Sequence, residues 1–242
     1  MTQSVPSLQR SARLAGLLYL IVVLAGIFSI AYVPAQTQVA GDATATLAKL
    51  SAHESLFRLG IAAGLICYIA FLLLPLALYR LLSPYGKTAA TLMVALAAVS
   101  VPLSFINLQH KLDVLSLLQS DAWLQAYTAE QRAAQVMLSL KAYSNGVWVA
   151  KLFWGLWLLP FGWLVYHSRV LPRVLGVLLM LGCVGYVADV FARLLVPGFA
   201  ESASAGYITL PATLGEIGSC LWLLIMGARA TAPRAMAAAV AE

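Results

Sequence analysis

Six apolar runs, each about as long as a membrane crossing, dictate what this chain can fold into. They fall at roughly Leu14–Val33, Leu59–Leu82, Thr88–Leu108, Tyr143–Tyr166, Val174–Val196 and Tyr207–Gly227. About 20 apolar residues in a helix cross a hydrocarbon core ~30 Å thick. The runs lack the strict alternation of a transmembrane strand. In lipid every backbone N–H and C=O must be satisfied within the segment, so each run is a helix. Composition agrees: 62% of the 242 residues are hydrophobic, only 10% are charged, and the mean hydropathy is +0.89. A soluble domain carries about 25% charged residues and could not cover its surface with so few. The expected fold is therefore all-α: a polytopic six-helix transmembrane bundle with short external helices, forming one integral membrane domain over residues 1–242.

Charge placement orients the bundle. Arg10, Arg13, Arg80, Lys87, Arg169, Arg173, Arg229 and Arg234 flank the runs on one side, with Glu242 as the single acid. Asp42, Glu54, Asp113, Asp121, Glu130 and Glu201 fall on the other. Excess Lys and Arg marks the cytoplasmic face, so an even number of spans puts both termini in the cytoplasm. Tyr79, Tyr85, Trp163 and Tyr166 gather near that face as an interfacial aromatic belt. The net charge of +6 is spread singly over span ends, which argues against nucleic acid as a partner. The bilayer is the expected partner, and no sequence feature bears on oligomeric state.

Cys67, Cys183 and Cys220 lie inside apolar runs without metal or redox spacing, so they are expected to pack as small apolar groups. Arg10 and Arg13 before the first run, with Val33-Pro34-Ala35 after it, loosely resemble a signal peptide. The run is long for a signal and Pro34 weakens the cleavage site, so a retained span is expected.

Local signals decorate the connections. Asp42 is placed to cap a short helix through Ala43–Leu50, and Ser51 with Glu54 has capping-box spacing ahead of the second span. Thr128 with Gln131 has the same spacing ahead of the fourth. Leu112, Leu115 and Leu118 recur helically with Lys111 and Asp113 off that face, which extends the third helix beyond the membrane or bends it onto the surface.

The residues a membrane should reject carry the functional reading. Lys151, Asp189 and Glu216 lie within spans four, five and six, with Arg58 and Arg193 near span ends. A charge at the centre of a span costs about 2.5–3.5 kcal/mol on the insertion scale, so these groups should turn inward and pair. Helical spacing puts Lys141, Asn145, Trp148, Lys151 and Gly155 on one face of span four. Gly182, Gly185, Asp189 and Arg193 share a face of span five, and Thr213, Glu216, Ser219 and Cys220 one of span six. Ser100, Ser104, Asn107 and Lys111 share one of span three, with His110 alongside.

The expected site is a polar pocket opening to the extracytoplasmic side, lined by Arg58, Asn107, Asn145, Lys151, Asp189, Arg193 and Glu216. Arg58, Lys151 and Arg193 supply positive charge for a small anionic or amphiphilic ligand, and the two acids orient them. Two rival readings remain open. One is an intramembrane enzyme on lipid or isoprenoid substrates with Glu216 or Asp189 as base, although no nucleophile motif accompanies them. The other is a structural or assembly role, with Asp189 and Arg193 paired at i, i+4 and Lys151 bound to Asp189 or Glu216. His53, His110 and His167 are isolated and match no metal pattern, so no metal or cofactor is assigned.

Several motifs resemble one family of bacterial membrane proteins. These are Ala12-Arg13-Leu14-Ala15-Gly16-Leu17-Leu18-Tyr19, Gly41-Asp42-Ala43, Leu56-Phe57-Arg58-Leu59-Gly60 and Leu78-Tyr79-Arg80-Leu81-Leu82. To them add Leu171-Pro172-Arg173-Val174-Leu175-Gly176 and Leu214-Gly215-Glu216 ahead of Leu221-Trp222-Leu223-Leu224. Together they span about Arg10 to Gly227, and the chain resembles the domain of unknown function 4386 family. The resemblance implies a compact helical protein of the bacterial inner membrane and supplies no activity or catalytic residues.

Overall fold

The computed structural model describes residues 5–119 and 122–229. Eleven α-helices occur among them: α1 Val5–Ile27, α2 Val33–Thr37, α3 Ala43–Ala52, α4 Glu54–Leu82, α5 Lys87–Asn107, α6 Gln109–Leu118, α7 Ala129–Leu156, α8 Leu158–Ser168, α9 Arg173–Leu195, α10 Ala203–Tyr207 and α11 Leu210–Ile225. No strand occurs among the described residues. A π-helical turn, Phe28–Tyr32, joins α1 to α2. Asp121, Arg234 and Glu242, used above for orientation, lie outside the described residues.

Six helical segments are long and apolar enough to cross a membrane: Leu8–Thr37, Glu54–Tyr85, Lys87–Leu118, Ala129–Ser168, Arg173–Leu195 and Ala203–Ile225. Each matches one predicted span; the last two stop one and two residues short of the expected ends, at Leu195 and Ile225, and the first four run well past it. Ala129–Ser168 has 40 residues, about 60 Å of helix against ~30 Å of hydrocarbon. The excess in that segment is the stretch before Tyr143, whose Glu130, Gln131, Arg132, Gln135 and Lys141 keep it out of a hydropathy-defined span. That segment breaks at Trp157 between α7 and α8. Pro160 lacks the N–H that would bond back to Leu156, so a carbonyl is freed at the break. Pro75 and Pro102 sit inside α4 and α5, whereas Pro211 opens α11, where its missing N–H has no partner to lose.

The chain forms two compact units. The first holds residues up to Leu20, Leu72–Val99 and those from Lys151 on. Its helices meet through glycines. A Cβ at Gly162 would lie 2.6 Å from the Gly176 carbonyl oxygen, and one at Gly182 would lie 2.6 Å from Ala212 Cα. A Cβ at Gly16 would lie 2.5 Å from the Leu224 nitrogen. Backbone-to-backbone approach of this kind is how helices pack where no hydrophobic effect drives them together.

One end of this unit collects the start of α1, the α4–α5 and α8–α9 connections, and the end of α11. Gln9 Nε2 donates to Ala228 O at 2.7 Å, and Arg229 N to Val170 O at 3.0 Å. Gly86 lies against Trp163. Arg10, Arg13, Arg80, Lys87, Arg169, Arg173 and Arg229 therefore ring that end. Arg173 stacks on Tyr166 and Arg229 on Trp222.

The second unit holds Ile21–Phe71 and Ser100–Ala150. Its apolar core includes Val33, Leu50, Phe57, Val114 and Val136. Asp42 caps α3 as expected, its carboxylate accepting from Ala45 N at 2.8 Å. Thr128 and Gln131 form the reciprocal bonds of a capping box at α7 (2.9 and 3.2 Å).

Ser51 and Glu54 do not form the expected capping box. Helix α3 continues through Ala52, so Ser51 lies inside it and donates to Leu47 O at 3.0 Å. Glu54 opens α4 and pairs along the helix with Arg58 instead. Lys111 follows the expected polar face of span three, and not the leucine spacing around it. It is one of the most buried residues of α6, beside Val114 and Leu115, whereas Leu112 is exposed.

Candidate functional site

In the first unit, Asp189 is the focus of a three-residue cluster. It lies 16 residues into α9 from Arg173, about 24 Å from the cation-ringed end. Its side chain is 1% exposed. Its two oxygens are divided between helices. Arg193, one turn on, places Nε 2.8 Å from Oδ1, and Lys151 of α7 places Nζ 3.4 Å from Oδ2. Both cations keep 29% side-chain exposure. One carboxylate thus faces two cations, and the cluster keeps one uncompensated positive charge on its open side.

Local sequence explains the approach. Gly155, one turn from Lys151, leaves the space that Tyr186 fills, since a Cβ there would lie 2.5 Å from Tyr186 Cβ. Tyr186 is in turn three residues before Asp189 on the same face. Gly182 and Gly185 continue that face along α9 toward α11, where Gly185 abuts the Ile208 carbonyl.

Glu216 occupies a second level of the same unit. It lies nine residues before the end of α11, about 14 Å from the cationic end. Tyr19 of α1 donates its hydroxyl to Glu216 Oε1 at 3.1 Å, and the Tyr186 side chain also reaches this carboxyl. Trp157 packs beside Tyr19, with ring centroids 6.3 Å apart. No Lys or Arg lies within ion-pair distance of Glu216 among the described residues. Tyr186 connects the two levels, lying near both acids. One turn beyond Glu216, Ser219 is fully buried and its hydroxyl has no hydrogen-bond partner.

Four of the seven expected site residues, Lys151, Asp189, Arg193 and Glu216, thus fall in the first unit. Three of them form one ion-pair cluster. The other three belong to the second unit. Arg58 is 51% exposed and bound to Glu54. Asn145 is exposed. Asn107 is buried, fits the notch left by Gly146, and donates to Tyr143 O at 2.9 Å. On span six the buried line runs Ala212, Gly215, Ser219, and Thr213 faces outward.

Tyr19 and Tyr186 were not singled out by sequence reasoning. Hydropathy scores tyrosine as apolar enough to belong to a span, so a phenol aimed at a carboxyl leaves no mark. Their spacing from polar neighbours was the available signal: Tyr186 falls on the Gly182–Asp189 face. The three cysteines are buried and free, as expected. Among the described residues no group of three His, Cys, Asp or Glu side chains could hold a metal ion.

Long apolar helices joined through glycines, with ionised groups turned into the packed interior, define a helical multi-pass membrane protein. Residues 14–227 match the family described as Domain of unknown function (DUF4386), and the chain belongs to that family. No curated protein and no solved structure matches it.

Proposed function

We propose that this protein binds an anionic amphiphile, with the acidic headgroup held by Lys151 and Arg193 of the first unit. The observation that carries the reading is the two-to-one ratio of cations to carboxylate at Asp189, with both cations part-exposed. A matched ion pair would serve packing alone. An extra charge held within a span is expensive without an anion to meet it.

Arg193 presents a planar fork suited to carboxylate or phosphate, and Lys151 a compact ammonium. Asp189 holds both in place, and Glu216 with its two tyrosines lies one level deeper, beside the ligand's non-ionic part. Excess cations at the opposite end of this unit support a cytoplasmic placement for that end, which turns the Asp189 level toward the extracytoplasmic side of a bacterial inner membrane. Polar groups concentrate on that side, which favours binding or sensing over transport.

The test is binding of fluorescent phosphatidylglycerol and of a fluorescent fatty acid to purified protein in zwitterionic nanodiscs. Phosphatidylcholine is the neutral control. Tighter binding of either anionic probe, weakened about tenfold (about 1.4 kcal/mol) in Lys151→Met and Arg193→Met, supports the reading and distinguishes lipid from free acid. Equal binding of anionic and neutral probes, or unchanged binding in both folded variants, overturns it.

A further inference from the structure

The second unit contains a buried cation whose counter-charge the described residues do not supply. Lys111 is 2% exposed. Its Nζ donates to the Ser29 carbonyl at 3.0 Å and lies 3.3 Å from Ser29 Oγ. It also sits over the Tyr143 ring, 4.2 Å from the centroid. No carboxylate lies within ion-pair distance among the described residues.

An ammonium has three donors. Ser29 accepts two, so one N–H remains. Ser29 is itself buried, within the π-helical turn Phe28–Tyr32. Such a turn shifts backbone bonding from i+4 to i+5 and often marks a functional position. The Tyr143 hydroxyl is the second spare donor. It is buried, has Tyr68 and Ser29 beside it, and makes no hydrogen bond of good geometry. That hydroxyl belongs to the same ring the ammonium covers, so both spare donors are within reach of one small ion. A ring face and a serine weaken the cost of a buried charge but do not neutralise it.

We infer that Lys111 and the Tyr143 hydroxyl hold a small monovalent anion, of halide or formate size, between α6 and α7. The ion supplies the missing negative charge and accepts from both donors. Ser29 fixes the ammonium from the other side and ties α6 to the π-helical turn. Asn107, bonded to the Tyr143 carbonyl, holds that part of α7 in register. The ligand is thus an inorganic or one-carbon anion, distinct in residues and in unit from the amphiphile site proposed above.

The experiment is thermal unfolding of the full chain in a neutral detergent, titrated with chloride, bromide or formate. Gluconate, too large for such a site, keeps ionic strength constant. The expected result is saturable stabilisation by the small anions in the native protein. Tyr143→Phe keeps the ring and removes one donor, so the half-saturating concentration should rise several-fold. Lys111→Met should abolish the dependence. If Lys111→Met does not fold, Tyr143→Phe and bromide anomalous scattering from native crystals decide: a peak beside Lys111 supports the site. No difference between small anions and gluconate in the native protein overturns it. So does a dependence that Tyr143→Phe leaves unshifted, or one that survives in Lys111→Met.

Discussion

Arg193 reaches back one helical turn to place its Nε 2.8 Å from Asp189 Oδ1, which leaves Oδ2 free for Lys151 on a different helix. The pair within α9 forms locally, while the contact with Lys151 requires that α7 and α9 be docked. Asp189 is therefore the group whose loss strands both cations. Asp189→Asn should destabilise the fold by about 1.5–3 kcal/mol, because two part-exposed cations lose their bonds to a charged acceptor. The double variant Asp189→Asn with Lys151→Met should recover part of that loss. Thermal unfolding in one detergent, read as a double-mutant cycle, measures the coupling.

The glycine faces carry a second prediction. At Gly182 an added Cβ would press on the Ala212 backbone, which has no freedom to move aside. Gly182→Val should force α9 and α11 apart and cost about 1–3 kcal/mol. At Gly206 in α10 an added Cβ would have nothing within 4 Å, so Gly206→Ala should be neutral or slightly stabilising. Unfolding midpoints of the two variants, compared side by side, check the contrast.

Tyr19 and Glu216 make a narrower case. Tyr19→Phe removes one hydroxyl and leaves the ring against Trp157. The expected loss is about 1 kcal/mol, the ordinary net worth of one hydrogen bond. A midpoint identical to the native protein would show that the hydroxyl contributes nothing to stability.

At the α7 start, Thr128 and Gln131 satisfy each other's backbone N–H groups. Thr128→Ala should cost about 1 kcal/mol and should increase amide exchange in the first turn of α7 ahead of the rest of the helix. Hydrogen exchange that rises uniformly along the chain would contradict a local cap.

Orientation is open to direct chemistry. Ala48 and Ser204 are exposed, and Thr88 is exposed beside Lys87 at the cation-ringed end of the first unit, while Cys67, Cys183 and Cys220 are buried. In intact cells, Ala48→Cys and Ser204→Cys should react with an impermeant thiol reagent and Thr88→Cys only after lysis. The reverse pattern would invert the topology.

Hydropathy and charge carried the number of spans, because lipid forces every backbone group in an apolar run into a helix regardless of what packs around it. The Asp42 and Thr128 caps were legible for the same local reason: each satisfies N–H groups three residues away. The 3.6-residue period placed Ser100, Ser104, Asn107 and Lys111 on one face, and all four are buried. The leucine pattern nearby pointed Lys111 the other way, and nothing local settles which of two overlapping faces turns inward.

What the sequence by itself determined was helical class, span number and which polar groups are costly in lipid, since each follows from chain-local solvation and hydrogen bonding. Only the tertiary structure decided their company: Asp189 took both cations, Glu216 took two tyrosines, and Lys111 took a serine and a ring. Such partnerships depend on helices distant in sequence meeting at a chosen height and rotation. Glycine-sized gaps at Gly155, Gly162 and Gly182 set that geometry, and a one-dimensional pattern of hydropathy does not encode it.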